Sequence, residues 1–394
     1  MENRNIRYRL YPKSRDRAEL LKQCLGATRF VWNHFLGENR EQMQRHREDA
    51  SQPKPNISFF SLGKEFIQLR NRTDWLRELP CAAIRYTLKY QADAWQQCFH
   101  SGKGFPQFKS KWYDQDSVSF PMGSFKITGN SLFLGKIGQV VLSGSNPYPQ
   151  GEPRLVTITE AGGKFWATVC YTVEVVPKNA NGKMVGIDMN VGQYATSTGD
   201  IRHVPEVQKL EAKRRRLQRK MARRQGPNRQ RGQQPSTRYL VVKSQCAKIS
   251  RQLANIKSDW QHQESRRLAN QYQYVVVEAL SVKGMTKSAK GTVAQRGKNV
   301  KAKSGLNRSI LATGWSGFKL KLAYKSSVIE VAPNYTSQKC NACGYIDKEN
   351  RKTQAKFTCV ACGHSGNADV NAAFNVLALG TQAIGHGGRS QGGT

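Results

Sequence analysis

Two cysteine pairs, Cys340 and Cys343 in "CNACGY" and Cys359 and Cys362 in "CVACGH", lie 15 residues apart, the spacing of a tetrahedral four-thiolate zinc site. With sulfur in all four positions no place stays open for a substrate, so the zinc is expected to be structural. The glycine after each pair lets the chain turn tightly and aim backbone N–H groups at the thiolates. The alternative is four buried free cysteines. His364 stands beside the second pair, but four thiolates leave it unneeded. Cys24, Cys81, Cys98, Cys170 and Cys246 fall in apolar patterns and read as packing residues.

Three carboxylates form a second set. Asp188 follows a short apolar run in "VGIDMNVG", Glu278 ends "YVVVE", and Asp369 opens a helix whose Val370, Ala373, Phe374, Leu377 and Ala378 make one apolar stripe. The two runs are too short for helices and read as buried strands. All three acids are thus held at core edges, where charge is costly. Brought together they would need cations, and the usual arrangement is Mg²⁺ held by carboxylates and substrate phosphate. Two such ions would activate a water and stabilise the leaving oxygen of a phosphodiester cleavage. Each acid alone could instead be a solvated strand end or a helix cap, and spacing does not decide between these readings.

The elements that must position these groups follow from pattern. "NIRYRLYP" alternates like a strand and closes at Pro12, while Leu21, Leu25, Thr28, Val31 or Trp32, and Phe35 recur at helical spacing, as do Ile84, Leu88 and Trp95. "ASQPKPNISF" lies between them as a loop. From Ser117 the period becomes two: "SVSFPMGSFKITGNSLFLGK", "QVVLSG" and "RLVTITEAGGKFWATVCYTVE" read as strands, the last a hairpin turning at Gly162 and Gly163. The first strand is expected to join this sheet, which makes the helices an insertion into a β-domain. Val175 to Lys183 reads as a linker. Beyond it, "MVGIDM" and "YVVVE" flank a basic helical region, the mark of an α/β domain. The glycine-rich end reads as a disordered tail.

Composition narrows the partner. Lys+Arg total 63 against 27 Asp+Glu, a formal charge of +36, which would repel itself in a compact state without an anionic partner; nucleic acid is the default. No run of 18 apolar residues and no broad amphipathic face supports a membrane reading. The charged N-terminus does not resemble a signal peptide, so a cytoplasmic location, where thiols stay reduced, is expected.

The charge is not spread evenly. From Lys209 to Arg224, nine basic residues (Lys209, Lys213, Arg214, Arg215, Arg216, Arg219, Lys220, Arg223 and Arg224) accompany one acid, with Leu210, Leu217 and Met221 as a thin apolar seam. Such a helix suits a nucleic-acid backbone; a calmodulin-type target, a membrane element or a solvated face are alternatives. Its mate, Tyr239 to Leu268, would pack antiparallel after "GPNRQRGQQP". "GFPQFKSKW" interleaves Phe105, Phe108 and Trp112 with Lys109 and Lys111, suiting base stacking plus phosphate contact, with core packing as the rival for each ring. Lys287 to Ser309 lacks apolar periodicity and reads as a mobile basic loop beside the acids. Leu311, Trp315, Phe318 and Leu322 are expected to form one core helix after it.

"GIDMNVG", "VVVEALSVKGM", "YTSQKCNACGYIDKENRKTQAKFTCVACGH" and "NADVNAAFNVL", in that order, resemble the TnpB proteins of insertion sequences, RNA-guided DNA endonucleases related to the type V CRISPR effectors. "YRLYP", "TRFVWNHFL" and "FPQFKSK" extend the resemblance over nearly the whole chain. It implies a multidomain protein of α+β and α/β class. An oligonucleotide-binding-like, wedge-like β-barrel (residues 1–15 and 113–178) would be interrupted by a helical recognition domain (16–112). A RuvC-like nuclease domain of RNase H fold (179–335 and 364–380) would carry an inserted zinc ribbon (336–363), ahead of a disordered tail (381–394). Asp188, Glu278 and Asp369 would be the acidic triad holding two Mg²⁺, with the zinc structural. The partners implied are a guide RNA from the transposon end and double-stranded target DNA beside a short transposon-associated motif, bound by a monomer with one RNA in the nucleoid of a prokaryotic host. Members that lost triad acids act as repressors, and presence of all three here favours cleavage.

Overall fold

A computed structural model describes residues 1–111, 116–174, 178–228, 230–292, 295–353 and 355–387 of the chain. The chain divides into two units: Met1–Val175 with Gln225–Thr237, and Val176–Arg224 with Arg238–Thr394.

In the first unit, alternation in β1 (Glu2–Pro12) buries Tyr8 and Leu10 while the arginines between them turn away. The strands β2 (Ser117–Pro121), β3 (Phe125–Thr128), β4 (Ser131–Leu134), β5 (Gly138–Ser143), β6 (Glu152–Glu160) and β7 (Phe165–Val173) complete an antiparallel sheet of order β2-β6-β7-β1-β5-β4-β3. β1 therefore sits between β7 and β5, and the expected joining of the first strand to the later sheet holds. The β6–β7 hairpin turns at Gly162 and Gly163, whose φ values of 60° and 69° suit the turn that matches strand twist.

The insertion is helical. The helix α1 (Arg15–Glu48) starts where Ser14 accepts a hydrogen bond from the Arg17 amide, and it buries Leu21, Leu25, Thr28, Val31, Trp32 and Phe35. α2 (Phe59–Asn71) and α3 (Asp74–Arg77) lead to α4 (Cys81–Ser101), which buries Ile84, Leu88 and Trp95 and ends at Gly102 in the left-handed region. Sheet and helices share one apolar core.

The second unit is built on a five-stranded sheet of order β10-β9-β8-β11-β12, from β8 (Met184–Asn190), β9 (Gln193–Thr196), β10 (Ile201–His203), β11 (Tyr274–Glu278) and β12 (Ser327–Val331). β8, β9 and β10 run antiparallel in sequence, whereas β11 is parallel to both β8 and β12. The crossover between β10 and β11 holds α5 (Gln208–Ala222) and α6 (Thr237–Gln271); between β11 and β12 lie α7 (Val282–Met285), α8 (Val300–Thr313) and α9 (Trp315–Ala323). After a short hairpin, β13 (Lys356–Thr358) with β14 (Ser365–Asn367), the helix α10 (Ala368–Gly387) packs on β8.

That packing is close. A Cβ on Gly186 of β8 would lie 2.2 Å from the Ala373 carbonyl oxygen, and one on Gly380 of α10 would lie 2.4 Å from a Val276 methyl. Only hydrogen at these two positions lets α10 lie against the strands.

Three expectations need correction. The segment from Lys287 to Ser309 is not all loop, since α8 starts at Val300. Its exposed, basic surface buries only Ile310 and Thr313, too faint a stripe to read as periodicity. Leu311 is not core: Gly314, at φ 73°, breaks the expected helix into α8 and α9, leaving Leu311 56% exposed while Trp315, Phe318 and Leu322 are buried. The tail expected from residue 381 is helical as far as Gly387, because α10 continues past Gly380; residues 388–394 lie outside the described ones. The β13–β14 hairpin extends from Lys356 to Asn367.

Candidate active site and nucleic-acid surface

Asp188, two residues before the end of β8, and Glu278, the last residue of β11, stand side by side on adjacent parallel strands, one residue past the Ile187–Val277 pairing. Asp369 comes from the first turn of α10, whose entry is fixed by Asn367: its side-chain oxygen accepts from the amides of Asp369 at 2.9 Å and Val370 at 3.1 Å. The three carboxylates are buried, at 7%, 8% and 3% exposure. Asp188 and Glu278 line a cavity of about 580 Å³ shared with Trp315, Thr336 and Arg351. Burial, then repulsion from Glu278 and Asp369, pushes the Asp188 carboxyl up to about 7, and burial also raises Glu278. Asp188 therefore feels the charge of the other two acids.

Each acid has its own donor. Asn190 Nδ2 donates to Asp188 Oδ2 at 2.7 Å, Thr336 Oγ1 to Glu278 Oε1 at 2.6 Å, and Gln193 Nε2 to Asp369 Oδ2 at 2.9 Å. Arg351 Nη2 pairs with Asp369 Oδ1 at 2.9 Å. Trp315 Nε1 bonds the Asn190 carbonyl at 3.1 Å, which holds that donor's backbone in place. Only Asn190, two residues after Asp188 and on the same face of the strand, carries a local signal that could have found it.

The four cysteines converge. Their sulfurs lie within 4.8 Å of one another, with Cys340–Cys362 at 3.7 Å and Cys343–Cys359 at 3.6 Å. A tetrahedron with Zn–S of about 2.3 Å has edges of about 3.8 Å, so the donor set fits zinc. Both knuckles close alike: Gly344 donates to the Cys340 carbonyl and Gly363 to the Cys359 carbonyl, at φ of 80° and 73°. The backbone N–H of Cys362 leads in pulling the Cys359 thiol down to about 7, toward the ligating form. His364 is outside the cluster.

The basic residues divide. On α5, Arg215, Arg216, Arg219 and Lys220, with Arg223 just after it, are exposed, Arg214 and Arg224 are half-buried, and among the described residues none of these seven makes an ion pair. Arg214 and Arg215 line a cleft of about 710 Å³ with Lys257 of α6 and Arg308 of α8, and burial and Arg214 lower the Lys257 pKa. With Glu211 the one acid of the lining, cations outnumber acids in this cleft. Lys109 and Lys111 stand in a segment docked on α1: Asn33 bonds both the amide and the carbonyl of Lys109, at 2.7 and 2.9 Å, and the Lys109 ammonium lies 4.1 Å over Trp32. Phe105 and Phe108 keep 48% and 42% exposure, but Trp95 and Arg40 already face them; Trp112 lies outside the described residues. Among the described residues, no helix is long and apolar enough to cross a membrane.

Family models match three stretches: a "Cas12f1-like, TNB domain" over residues 315–376, a "Probable transposase" over 168–289, and a "Helix-turn-helix domain" over 1–48, the last of which is here β1 followed by one long helix. The "Putative RNA-guided DNA endonuclease InsQ" of Escherichia coli (strain K12) is 33% identical over 399 residues, covering 98% of this chain and 95% of the relative. A "Putative RNA-guided DNA endonuclease" of Streptomyces pristinaespiralis is 24% identical over 404 residues, covering 98% and 92%. Among solved structures, the protein of a Cas12f1-sgRNA-target DNA complex shares the fold at TM-score 0.55 and 15% identity, over 92% of this chain and 83% of that one.

Proposed function

The chain belongs to the TnpB family, and from that we propose that it is an RNA-guided DNA endonuclease whose single active site is the acid pocket of Asp188, Glu278 and Asp369. The observation that carries this reading is the meeting of three buried carboxylates from β8, β11 and α10, with Asp188 pushed up to about 7 by burial and by its two neighbours. An arrangement with that much like charge asks for cations.

The domain assignment is part of the proposal. The first unit corresponds to the wedge-like, oligonucleotide-binding-like barrel with its helical insertion, and the second to a RuvC-like nuclease with the zinc ribbon. Support comes from the second sheet, in which three antiparallel strands are followed by two parallel to the first, as in an RNase H fold, with acids side by side on adjacent strands.

Asp188, Glu278 and Asp369 would hold two Mg²⁺ ions, which would supply the activation of water and the stabilisation of the leaving oxygen in phosphodiester hydrolysis. The chain's own groups do the rest. Asn190 and Thr336 fix one oxygen each of Asp188 and Glu278 and leave the other for ligation, whereas Asp369 is held at both oxygens, by Gln193 and Arg351. Arg351, at the pocket wall and paired with Asp369, offsets part of the negative charge of the three acids. The cysteine cluster holds structural zinc. The basic surface of α5 and the cleft behind it hold the guide–target duplex by its backbone, while base pairing reads sequence. One such site would cut both strands in turn, leaving 5′-phosphates.

Asp188→Ala should abolish cleavage of a guide-matched DNA while its binding by the RNA-loaded protein persists. A wild-type protein that binds and never cuts would favour a guided repressor instead. The match to a "Probable transposase" model motivates one more reading, strand joining by the same chemistry. Strand-transfer products between element ends would favour that reading, and double-strand breaks at guide-matched sites would exclude it.

A further inference from the structure

α10 carries more than Asp369. Asn371 and Asn375, two and six residues on, are 3% and 5% exposed, and buried amides must find partners. They find them on the chain that enters the zinc ribbon. Asn375 Nδ2 donates to the carbonyls of Thr336 at 2.9 Å and Lys339 at 2.7 Å; Asn371 Nδ2 donates to Lys339 at 2.8 Å, and its oxygen accepts from the Asn341 amide at 3.0 Å. These bonds clamp the ribbon's root to the helix of the third acid. They also fix Thr336, itself 4% exposed, whose hydroxyl reaches Glu278 at 2.6 Å.

The ribbon is equally tied within itself. Asn350, fully buried, donates to the carbonyls of Gln338 and Tyr345 and accepts from the amide of Val360, joining the two knuckles.

We infer that Asn375 and Thr336 are positioning residues, through which the folded ribbon holds the Glu278 carboxylate for a divalent cation. The inference rests on the proposed reading of the acid pocket as a cation site. A hydroxyl bonded to one carboxylate oxygen sets the rotation of the group and turns the other oxygen to the pocket. Without the donor, a buried carboxylate loses both its orientation and part of the stabilisation of its charged form. Donors of this kind around metal ligands change metal affinity by about 10- to 100-fold. Asn375 acts one step further out, by fixing the backbone from which Thr336 reaches.

The test is Mn²⁺ binding to the full-length chain stripped of nucleic acid, read from the free-ion electron paramagnetic resonance signal, with Asp188→Ala as background. Thr336→Val should weaken the pocket's Mn²⁺ binding by about tenfold or more. Thr336→Ser should restore it, and Asn375→Ala should weaken it as well. Zinc content should stay at one per chain in all three. Wild-type Mn²⁺ affinity in Thr336→Val would overturn the inference. Should Asn375→Ala lose zinc, Thr336→Val, which leaves the clamp bonds intact, still decides. Unchanged Mn²⁺ binding in Asp188→Ala would instead overturn the cation-site reading itself.

Discussion

Glu264 and Asp188 show two ways of burying a carboxylate. Glu264, 6% exposed, would be raised by burial, but Arg202 at 2.9 Å, Tyr194 at 2.6 Å and Arg267 at 3.1 Å hold it below the usual carboxylate range. Asp188 receives one amide bond and two like charges, and goes up. The first is a satisfied structural group; the second carries a charging cost that a cation would relieve under the proposed function. A depressed folded pKa stabilises above the unfolded value and loses that contribution as pH falls through the folded one. Wild type should therefore lose stability below about pH 4.5 partly through Glu264. Glu264→Gln should cost about 2–3 kcal/mol at neutral pH, less than a fully buried pair because the arginines are partly exposed, and should flatten the acid side of the stability curve. Urea melts from pH 3 to pH 8 would check both. Asp188 and Glu278 were legible because a polar group ends an apolar run. Their donors were not: Thr336 and Arg351 come from 58 and 18 residues away from the acids they touch, and nothing local marks them.

At the scale of elements, α10 sets the geometry of the site. Gly186→Ala would place a methyl against the Ala373 carbonyl and the Leu377 amide, backbone atoms that cannot give way singly. The expected outcome is a destabilisation of about 1–3 kcal/mol or more, with a loss of cleavage larger than the loss of DNA binding because Asp369 moves with the helix. Thermal melts and paired binding and cleavage assays would show it; wild-type values in both would contradict the packing described. Cys340→Ser removes one thiolate of four, and the ribbon should then lose zinc, measured by atomic spectroscopy, and with it cleavage. The elements themselves were largely legible. β1, α1, α4, the hairpin at Gly162 and the knuckles follow from period and turn residues, whereas α8 failed because an exposed basic helix has no apolar stripe to betray it.

At the scale of the molecule, an excess of +36 charges has to meet an anion, and the cleft of Arg214, Lys257 and Arg308 is where cations crowd without an acidic partner for each. Lys257→Ala with Arg308→Ala should weaken nucleic-acid binding across sequences and reduce the slope of log affinity against log salt by about one for each phosphate no longer neutralised. An unchanged slope would place the polyanion elsewhere. Charge and cysteine spacing made the partner class and the ribbon legible at once; which arginines line a cleft depended on the crossover of α5, α6 and α8, which no local pattern encodes.

The central claim is that this chain cuts DNA chosen by an RNA. The most direct measurement is to express it with its native downstream flank, sequence the RNA that co-purifies, replace that RNA's outermost segment with a new guide, and assay a matched plasmid with Mg²⁺. The expected result is a defined structured RNA and a double-strand break that follows the new guide and disappears with Asp188→Ala. Purification without a defined RNA, or cleavage indifferent to the guide, would contradict it.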